Sequence, residues 1–170
     1  MAECPVCKNV VLVHYSKKDN RIQIIPPPRP TPTDPHIPEP VRTDLDEAKA
    51  AFSVGAYNAT VVMCRRALQA AAILKGATKG KKLIDQIDEL YEKEVITKGL
   101  RDLAHTIRLI GNEGAHPDPE NPETVTREDA EEVLELTEQF LYVLFVTEAK
   151  VKDIRQKRGS SQKPEKTQQK

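Results

Sequence analysis

From Thr43 onward, apolar residues recur every three or four positions, which is the spacing of one face of an α-helix. Five such stretches follow one another, separated by short turns. Aromatic residues make up only 4% of the chain and Trp is absent, so the core must consist of Leu, Ile, Val and Ala. That composition favours packed helices over an aromatic-rich sandwich. The sequence therefore predicts an all-α, up-and-down bundle of about five helices.

The helices are predicted to begin at recognisable capping residues. Thr43 is expected to cap the first helix, and Thr126 with Asp129 forms a capping-box-like start for the last. The second helix, at about 57–75, is apolar on several sides and is expected to be central. The inner residues predicted for the third helix, at about 82–93, are Leu83, Ile84, Ile87, Leu90 and Tyr91. The apolar residues predicted for the last helix, which continues past residue 150, are Val133, Leu136, Phe140, Val143, Leu144 and Val151.

The chain divides into four regions. Residues 1–25 are expected to form a CxxC knuckle and a β-hairpin, and residues 43–156 the helical bundle. Residues 26–42 are predicted to be a linker over the surface, because 8 of the 13 prolines lie between residues 26 and 40. Residues 157–170 are small, polar and basic, so a disordered tail is expected there.

Charge is distributed unevenly along the chain although its total is zero. Residues 43–149 carry 12 basic and 20 acidic side chains, a net charge of −8, whereas residues 150–170 carry 8 basic and 2 acidic, a net charge of +6. This excludes a uniformly basic nucleic-acid binder. No apolar run could span a membrane and no signal pattern begins the chain, so a cytoplasmic protein without a membrane partner is expected.

The N-terminal cysteines form half of a zinc ribbon. Cys4 and Cys7 are spaced as CxxC, which supplies two of the four thiolate or imidazole ligands that zinc prefers. No second CxxC exists, so His14 and His36 are the remaining local candidates. A decayed ribbon, or one that takes ligands from another chain, is the alternative. Zinc is the only cofactor that the residues suggest, and none is expected to be required.

A polar stripe marks the fourth helix, predicted at about 98–112. His105, Arg108 and Asn112 fall on the side opposite the apolar face, and His116 joins them if the helix continues. A guanidinium, an amide and imidazoles could together bind a phosphate. The alternative is that Asn112 and His116 hydrogen-bond the following loop, while Arg108 pairs with acids of the last helix.

Two consecutive arginines of the central helix, Arg65 and Arg66, also have two possible roles, a structural ion pair or the binding of an anion. Arg65 lies close to the apolar stripe of that helix and would need a buried partner. An ion pair with an acid of a neighbouring helix is one reading for Arg65 and Arg66. A contribution to an anion pocket beside Arg108 is the other, with His105 as a further candidate ligand-binding residue. Cys64 in the same helix is interpreted as a small buried apolar residue.

Several segments together resemble a known bacterial family. Residues 35–40 (PHIPEP), 44–48 (DLDEA), 55–59 (GAYNA), 63–68 (MCRRAL) and 107–116 (IRLIGNEGAH) agree with it in order and spacing. The family is the domain of unknown function 4145, often attached to restriction and other defence proteins. The resemblance covers about residues 35–150, and relatives also carry a cysteine knuckle ahead of the domain.

The resemblance implies a HEPN-like helical bundle. That wider group commonly forms homodimers, and many members are metal-independent ribonucleases with an Arg, a polar residue, three further positions and a His. Asn112 fits the polar position and His116 the histidine, but Gly111 stands where the arginine is expected. Arg108, one turn earlier, is the residue that could reach the same anion.

We therefore expect a homodimeric, non-catalytic or weakly catalytic binding module that recognises RNA, a nucleotide or a protein partner in a bacterial defence or regulatory system. One alternative is a metal-independent endoribonuclease that uses His116 with Arg108 and Asn112. Another is a scaffold that docks onto a larger defence complex. A P-loop and a nucleophile elbow are both absent, which argues against the corresponding phosphoryl-transfer and hydrolase chemistry.

Overall fold

The computed structural model describes residues 2–3, 10–18, 20–25, 30–115 and 125–160. In these ranges the chain is mostly helical, which confirms the predicted all-α bundle. The first four helices are α1 (Glu39–Ser53), α2 (Tyr57–Leu74), α3 (Leu83–Glu92) and α4 (Lys98–Ala115). The last helix runs through α5 (Arg127–Leu141), a π-helical segment (Tyr142–Val146) and α6 (Thr147–Ser160).

A small antiparallel sheet precedes the bundle, in the order β1 (Ala2–Glu3), β2 (Val10–Ser16), β3 (Arg21–Ile25). Strands β2 and β3 form the predicted hairpin, with Leu12 opposite Ile25 and Ser16 opposite Arg21. No helix in the described ranges combines the length and the apolar character that crossing a bilayer requires.

Helix α2 is the centre of the bundle, as predicted, because it contacts α1, α3, α4 and α5. Small side chains make this possible: Ala67 and Ala71 are completely buried, and so is Cys64. Larger side chains of the surrounding helices fill the space around them, among them Leu45 of α1 and Phe140 of α5. Close packing around a slender central helix therefore sets the positions of the polar side chains that α2 and α4 carry between them.

The first helix begins at Glu39, four residues before the predicted cap at Thr43. Pro38 takes the N-cap position, and Pro40 lies in the first turn. A proline is tolerated there because the first N–H groups of a helix have no intrahelical acceptor. Thr43 instead donates a side-chain hydrogen bond of 3.0 Å to the carbonyl oxygen of Glu39.

The end of the predicted surface linker is attached to the bundle. Lys49 of α1 donates hydrogen bonds from Nζ to the Thr31 carbonyl oxygen and to Thr33 Oγ1, both at 3.1 Å. Thr33 in turn donates to Asp46 Oδ1 at 2.6 Å, and Ile37 is buried. The segment before α1 is therefore held by specific hydrogen bonds and does not run free over the surface.

The C-terminal segment predicted to be a disordered tail begins as helix, because α6 extends to Ser160. Residues 161–170 lie outside the described part of the chain.

Helix α5 starts with the predicted capping box between Thr126 and Asp129. The buried side of the last helix differs from the predicted one, since Val143 and Val151 are 46% and 40% exposed while Val146 is buried. The π-helical segment is the reason, because its wider turn contains Val143 and adds about one residue, which rotates the side chains after it about the helix axis.

Helix α3 also differs from its prediction, since Ile84 and Tyr91 are exposed and do not face inward. The buried Gln86 takes an inner position there, and its amide donates to the Thr78 carbonyl oxygen at 3.0 Å.

Candidate anion-binding site

Helices α2 and α4 approach each other unusually closely at two glycines of α4. A Cβ atom added to Gly111 would lie 2.7 Å from the Cβ of Arg65 and 3.0 Å from the carbonyl oxygen of Val61. One added to Gly114 would lie 2.5 Å from Cγ2 of Val61 and 3.1 Å from the carbonyl oxygen of Asn58. Gly111 lies against Arg65 and Val61, whereas Gly114, further along α4, lies against the earlier residues Val61 and Asn58. The two helices therefore run antiparallel. Glycine is required at both positions by this close approach.

The side chain of Arg65 lies across α4 at Gly111. The Arg65 Cδ atom is 3.2 Å from the place that a Cβ of residue 111 would occupy. Arg108 precedes Gly111 by three residues, and Cβ positions three apart on a helix are about 5–6 Å from one another. The Cβ atoms of Arg65 and Arg108 are therefore no more than about 9 Å apart, which is within the combined reach of two arginine side chains.

Both arginines contain a buried nitrogen without a partner. The Nε atoms of Arg65 and Arg108 are buried, and neither Nε–H group donates a hydrogen bond to an acceptor among the residues that the structure describes. No ion pair joins either guanidinium to a carboxylate within those residues. A buried charged donor left unpaired costs more than the roughly 1–3 kcal/mol typical of a neutral one. The predicted pairing of Arg108 with acids of the last helix is thus not seen in the described ranges, and both Nε–H groups lack an acceptor there.

Asn112 is half-buried on α4 and follows Arg108 by four residues, a spacing that places two side chains on one face of a helix. His116 lies outside the described residues, so its predicted position next to Asn112 stays a prediction. Among the residues proposed for anion binding, the structure thus places Arg65 against the part of α4 that carries Arg108 and Asn112.

The other two proposed ligand-binding residues have their own partners. Arg66 is exposed, and its Nη2 forms an ion pair of 3.1 Å with Asp44 of α1. Burial raises the pKa of Asp44 above its usual value, and the Arg66 charge opposes that shift. His105 Nε2 lies 3.1 Å from Asp88 Oδ1. The same carboxylate accepts a 2.6 Å bond from Arg101 Nε.

The pKa of Asp88 is lowered mainly by its hydrogen bond from Arg101, with His105 adding to the effect and burial opposing it. His105 therefore faces α3, while Arg66 faces α1. Neither residue is brought to the pair formed by Arg65 and Arg108.

Zinc binding at the N-terminus stays a prediction. Cys4 and Cys7 lie outside the described residues, and His14 is exposed on β2. Within the described ranges, no three His, Cys, Asp or Glu side chains are grouped so as to hold a metal ion. Cys64 is buried as expected, and this burial raises the pKa of its thiol to about 12, partly offset by a hydrogen bond with Thr137.

Sequence reasoning missed Lys49 as an organising residue. It is only 9% exposed, and its ammonium group forms an ion pair of 2.6 Å with Glu138 in addition to its bonds to Thr31 and Thr33. The signal was present, because residue 49 falls at helical spacing from the buried Leu45. A lysine on an apolar face indicates a buried ion pair or hydrogen-bonded charge.

Neither a curated protein nor a solved structure matches this sequence. One protein-family model does match, over residues 46–157, and it carries the description Domain of unknown function (DUF4145). The matched region begins in α1 and ends in α6, so it includes Arg65, Arg108 and Asn112. Because that region is well over half of the chain, the protein belongs to the DUF4145 family.

Proposed function

We propose that this protein is a non-catalytic, HEPN-like binding module whose ligand carries phosphate, as RNA or a nucleotide does. The observation that carries the proposal is the pair of buried, unpartnered Nε atoms of Arg65 and Arg108. Guanidinium groups hold phosphate through two parallel N–H donors, which is a stronger and more directional contact than a lysine makes. Asn112, adjacent on α4, supplies an amide donor to the same ligand.

The electrostatics of the bundle also favour a local site over broad binding. The body of the chain has a net charge of −8 over residues 43–149, from 12 basic and 20 acidic side chains, so it repels polyanions in general. Arg65 and Arg108, whose Cβ atoms are no more than about 9 Å apart and which have no acidic partner in the described ranges, are an exception to that field. We therefore expect contact with one or two phosphates rather than a long backbone track.

Gly111 supports a role in binding rather than cleavage. The resemblance places an arginine at this position in the nucleases, where it would stabilise the charge of the transition state. Here the stem of Arg65 fills the space that any side chain at position 111 would need. An endoribonuclease that uses His116 with Arg108 and Asn112 remains the second candidate, because Arg65 brings a guanidinium to the same part of α4.

Binding is tested with a short fluorescein-labelled single-stranded RNA and the full chain, by fluorescence anisotropy without metal. Arg65→Gln and Arg108→Gln each remove one guanidinium and keep the first side-chain carbons, so each is expected to weaken binding about tenfold or more. Arg66→Gln is the matched control, since Arg66 is the exposed neighbour that pairs with Asp44. Equal affinity in all three variants would refute the site.

Cleavage of the same RNA separates the two candidates. The proposal expects intact RNA after prolonged incubation with saturating protein. Cleavage that is lost in His116→Ala and kept in Arg66→Gln would establish the ribonuclease instead. Binding to a protein partner, a defence context, a homodimer and an N-terminal zinc ion remain parts of the proposal that this experiment does not address.

A further inference from the structure

The last helix presents a continuous exposed stripe along its whole length. Its residues follow one another at intervals of three or four, and all of them are exposed. We call this set the last-helix stripe: Glu128, Glu131, Glu135, Gln139, Val143, Thr147, Val151, Ile154 and Arg158. In an uninterrupted α-helix, 30 residues at about 100° each would leave the two ends about 120° apart. The extra residue of the π-helical segment removes about 100° of that difference. The π-helical segment therefore places both ends of the stripe on one face.

The stripe changes chemical character from one end to the other. It begins with three glutamates, has mostly uncharged and apolar side chains in its middle, and ends at Arg158 next to Arg155. Val143 is 46% exposed, and Val151 and Ile154, on adjoining turns further along, are 40% and 53% exposed, which is high for apolar side chains. Every residue from Lys150 to Arg158 is exposed, so this part of α6 buries little of the apolar surface that normally supports a helix.

We propose that the last-helix stripe is the surface on which a second copy of this chain docks, antiparallel, about a two-fold axis at Val143. That pairing places Glu128 against Arg158 and Glu131 against Arg155 of the other copy, at both ends of the interface. The apolar residues between them meet in the middle. A parallel pairing would instead place like charges together, which is unfavourable. A two-fold interface needs such a self-complementary surface.

The dimensions indicate a weak dimer. The stripe is about 45 Å long, and a helix with its side chains is about 10–12 Å wide, so each copy offers roughly 500 Å². Two copies would bury roughly 1,000 Å², near the lower limit for specific interfaces. Dissociation on dilution and at high salt is therefore expected. The stripe lies on α5, the π-helical segment and α6, whereas Arg65 is on α2 and Arg108 is on α4. This proposal therefore does not depend on phosphate binding.

Charge reversal in the full chain tests the pairing by sedimentation velocity at low salt. One variant is Glu128→Arg with Glu131→Arg, and the other is Arg155→Glu with Arg158→Glu. Each alone is expected to be monomeric, since both ends of its interface then repel. An equal mixture of the two is expected to form a heterodimer, because both ends attract again. Unchanged circular dichroism checks that each variant is folded.

Lys79→Glu with Lys82→Glu is the matched control for Arg155→Glu with Arg158→Glu, because it lowers the net charge by the same amount at exposed positions outside the stripe. It is expected to dimerise like the unmodified chain. The proposal is overturned if the unmodified chain is monomeric at its highest soluble concentration, if both reversed variants still dimerise, or if their mixture contains only monomers. The proposal is likewise overturned if Arg155→Glu with Arg158→Glu loses RNA binding without any effect on assembly, since the stripe would then contact nucleic acid.

Discussion

The stem of Arg65 on α2 lies directly against Gly111 on α4, where a Cβ atom would come within 2.7 Å of the Arg65 Cβ. This one relationship connects packing and function. It explains why residue 111 is a glycine, and it brings a second guanidinium to the same turn of α4 that carries Arg108. A change at position 111 therefore acts on the helix packing and on the position of Arg65 together.

Gly111→Ala should destabilise the bundle by about 1–3 kcal/mol, because the added methyl group forces α2 and α4 apart. The Val61 carbonyl oxygen, 3.0 Å from the new atom, belongs to the backbone and cannot simply rotate away. Urea unfolding followed by circular dichroism measures the effect.

Gly99→Ala is the control for helix propensity. It lies in the same helix with nothing within 4 Å of an added Cβ. It should be neutral or stabilise the protein by up to about 1 kcal/mol. If Gly111→Ala behaved like Gly99→Ala, the close approach of α2 and α4 would be wrong.

Lys49→Met should lower the free energy of unfolding by about 1–2 kcal/mol. Methionine keeps the buried stem but leaves the Thr31 carbonyl oxygen, Thr33 Oγ1 and Glu138 without the ammonium group that bonds all three. Lys79→Met, at an exposed position, should change the same quantity by no more than about 0.5 kcal/mol. Equal unfolding midpoints for the two variants would show that Lys49 does not hold the segment before α1.

Stability should fall in acid, and Glu89 should account for part of the fall. Its carboxylate accepts hydrogen bonds from Lys93, Thr78 and Lys81, which lower its pKa from 4.5 to about 2. Because the unfolded chain takes up this proton first, the stabilisation is complete above about pH 5 and is lost as the pH falls towards 2.

Urea midpoints between neutral pH and pH 2.5 measure this dependence. Glu89→Gln should show a smaller loss than the unmodified chain, and the exposed Glu92→Gln should follow the unmodified chain. Identical pH profiles for all three proteins would contradict the role of Glu89.

The Cys64 thiol should be unreactive in the folded protein. It is completely buried, and its pKa is raised to about 12, so almost no thiolate is present near neutral pH. In a Cys4→Ser, Cys7→Ser background, Ellman's reagent should detect no thiol until guanidinium is added, and then one per chain. Rapid reaction in native buffer would show that α2 is not enclosed.

Helix positions followed from the sequence wherever a local pattern determines them. The α2 start at Tyr57 and the capping box of Thr126 depend only on neighbouring residues, and both were predicted. The start of α1 was predicted too late because prolines suggest a linker, although the first turn of a helix accepts them. The exposure of Val143 and Val151 could not be predicted, since nothing local announces a π-helical turn.

The candidate site was only partly predictable for a different reason. The polar stripe of Arg108 and Asn112 follows from periodicity within one helix. The contact of Arg65 with Gly111 joins residues far apart in the sequence, so helical spacing cannot give it. Likewise, the partners of Arg66 and His105 became clear only from the packing of α1 and α3 against α2 and α4.

The salt dependence of RNA binding tests the central claim most directly. Each arginine that contacts a phosphate of a single strand contributes about 0.7 to the slope of log affinity against log salt concentration. The double variant Arg65→Gln with Arg108→Gln should therefore bind more weakly than the unmodified chain and show a slope smaller by about 1.4. The same affinity and slope in the double variant as in Arg66→Gln would contradict the proposed phosphate site.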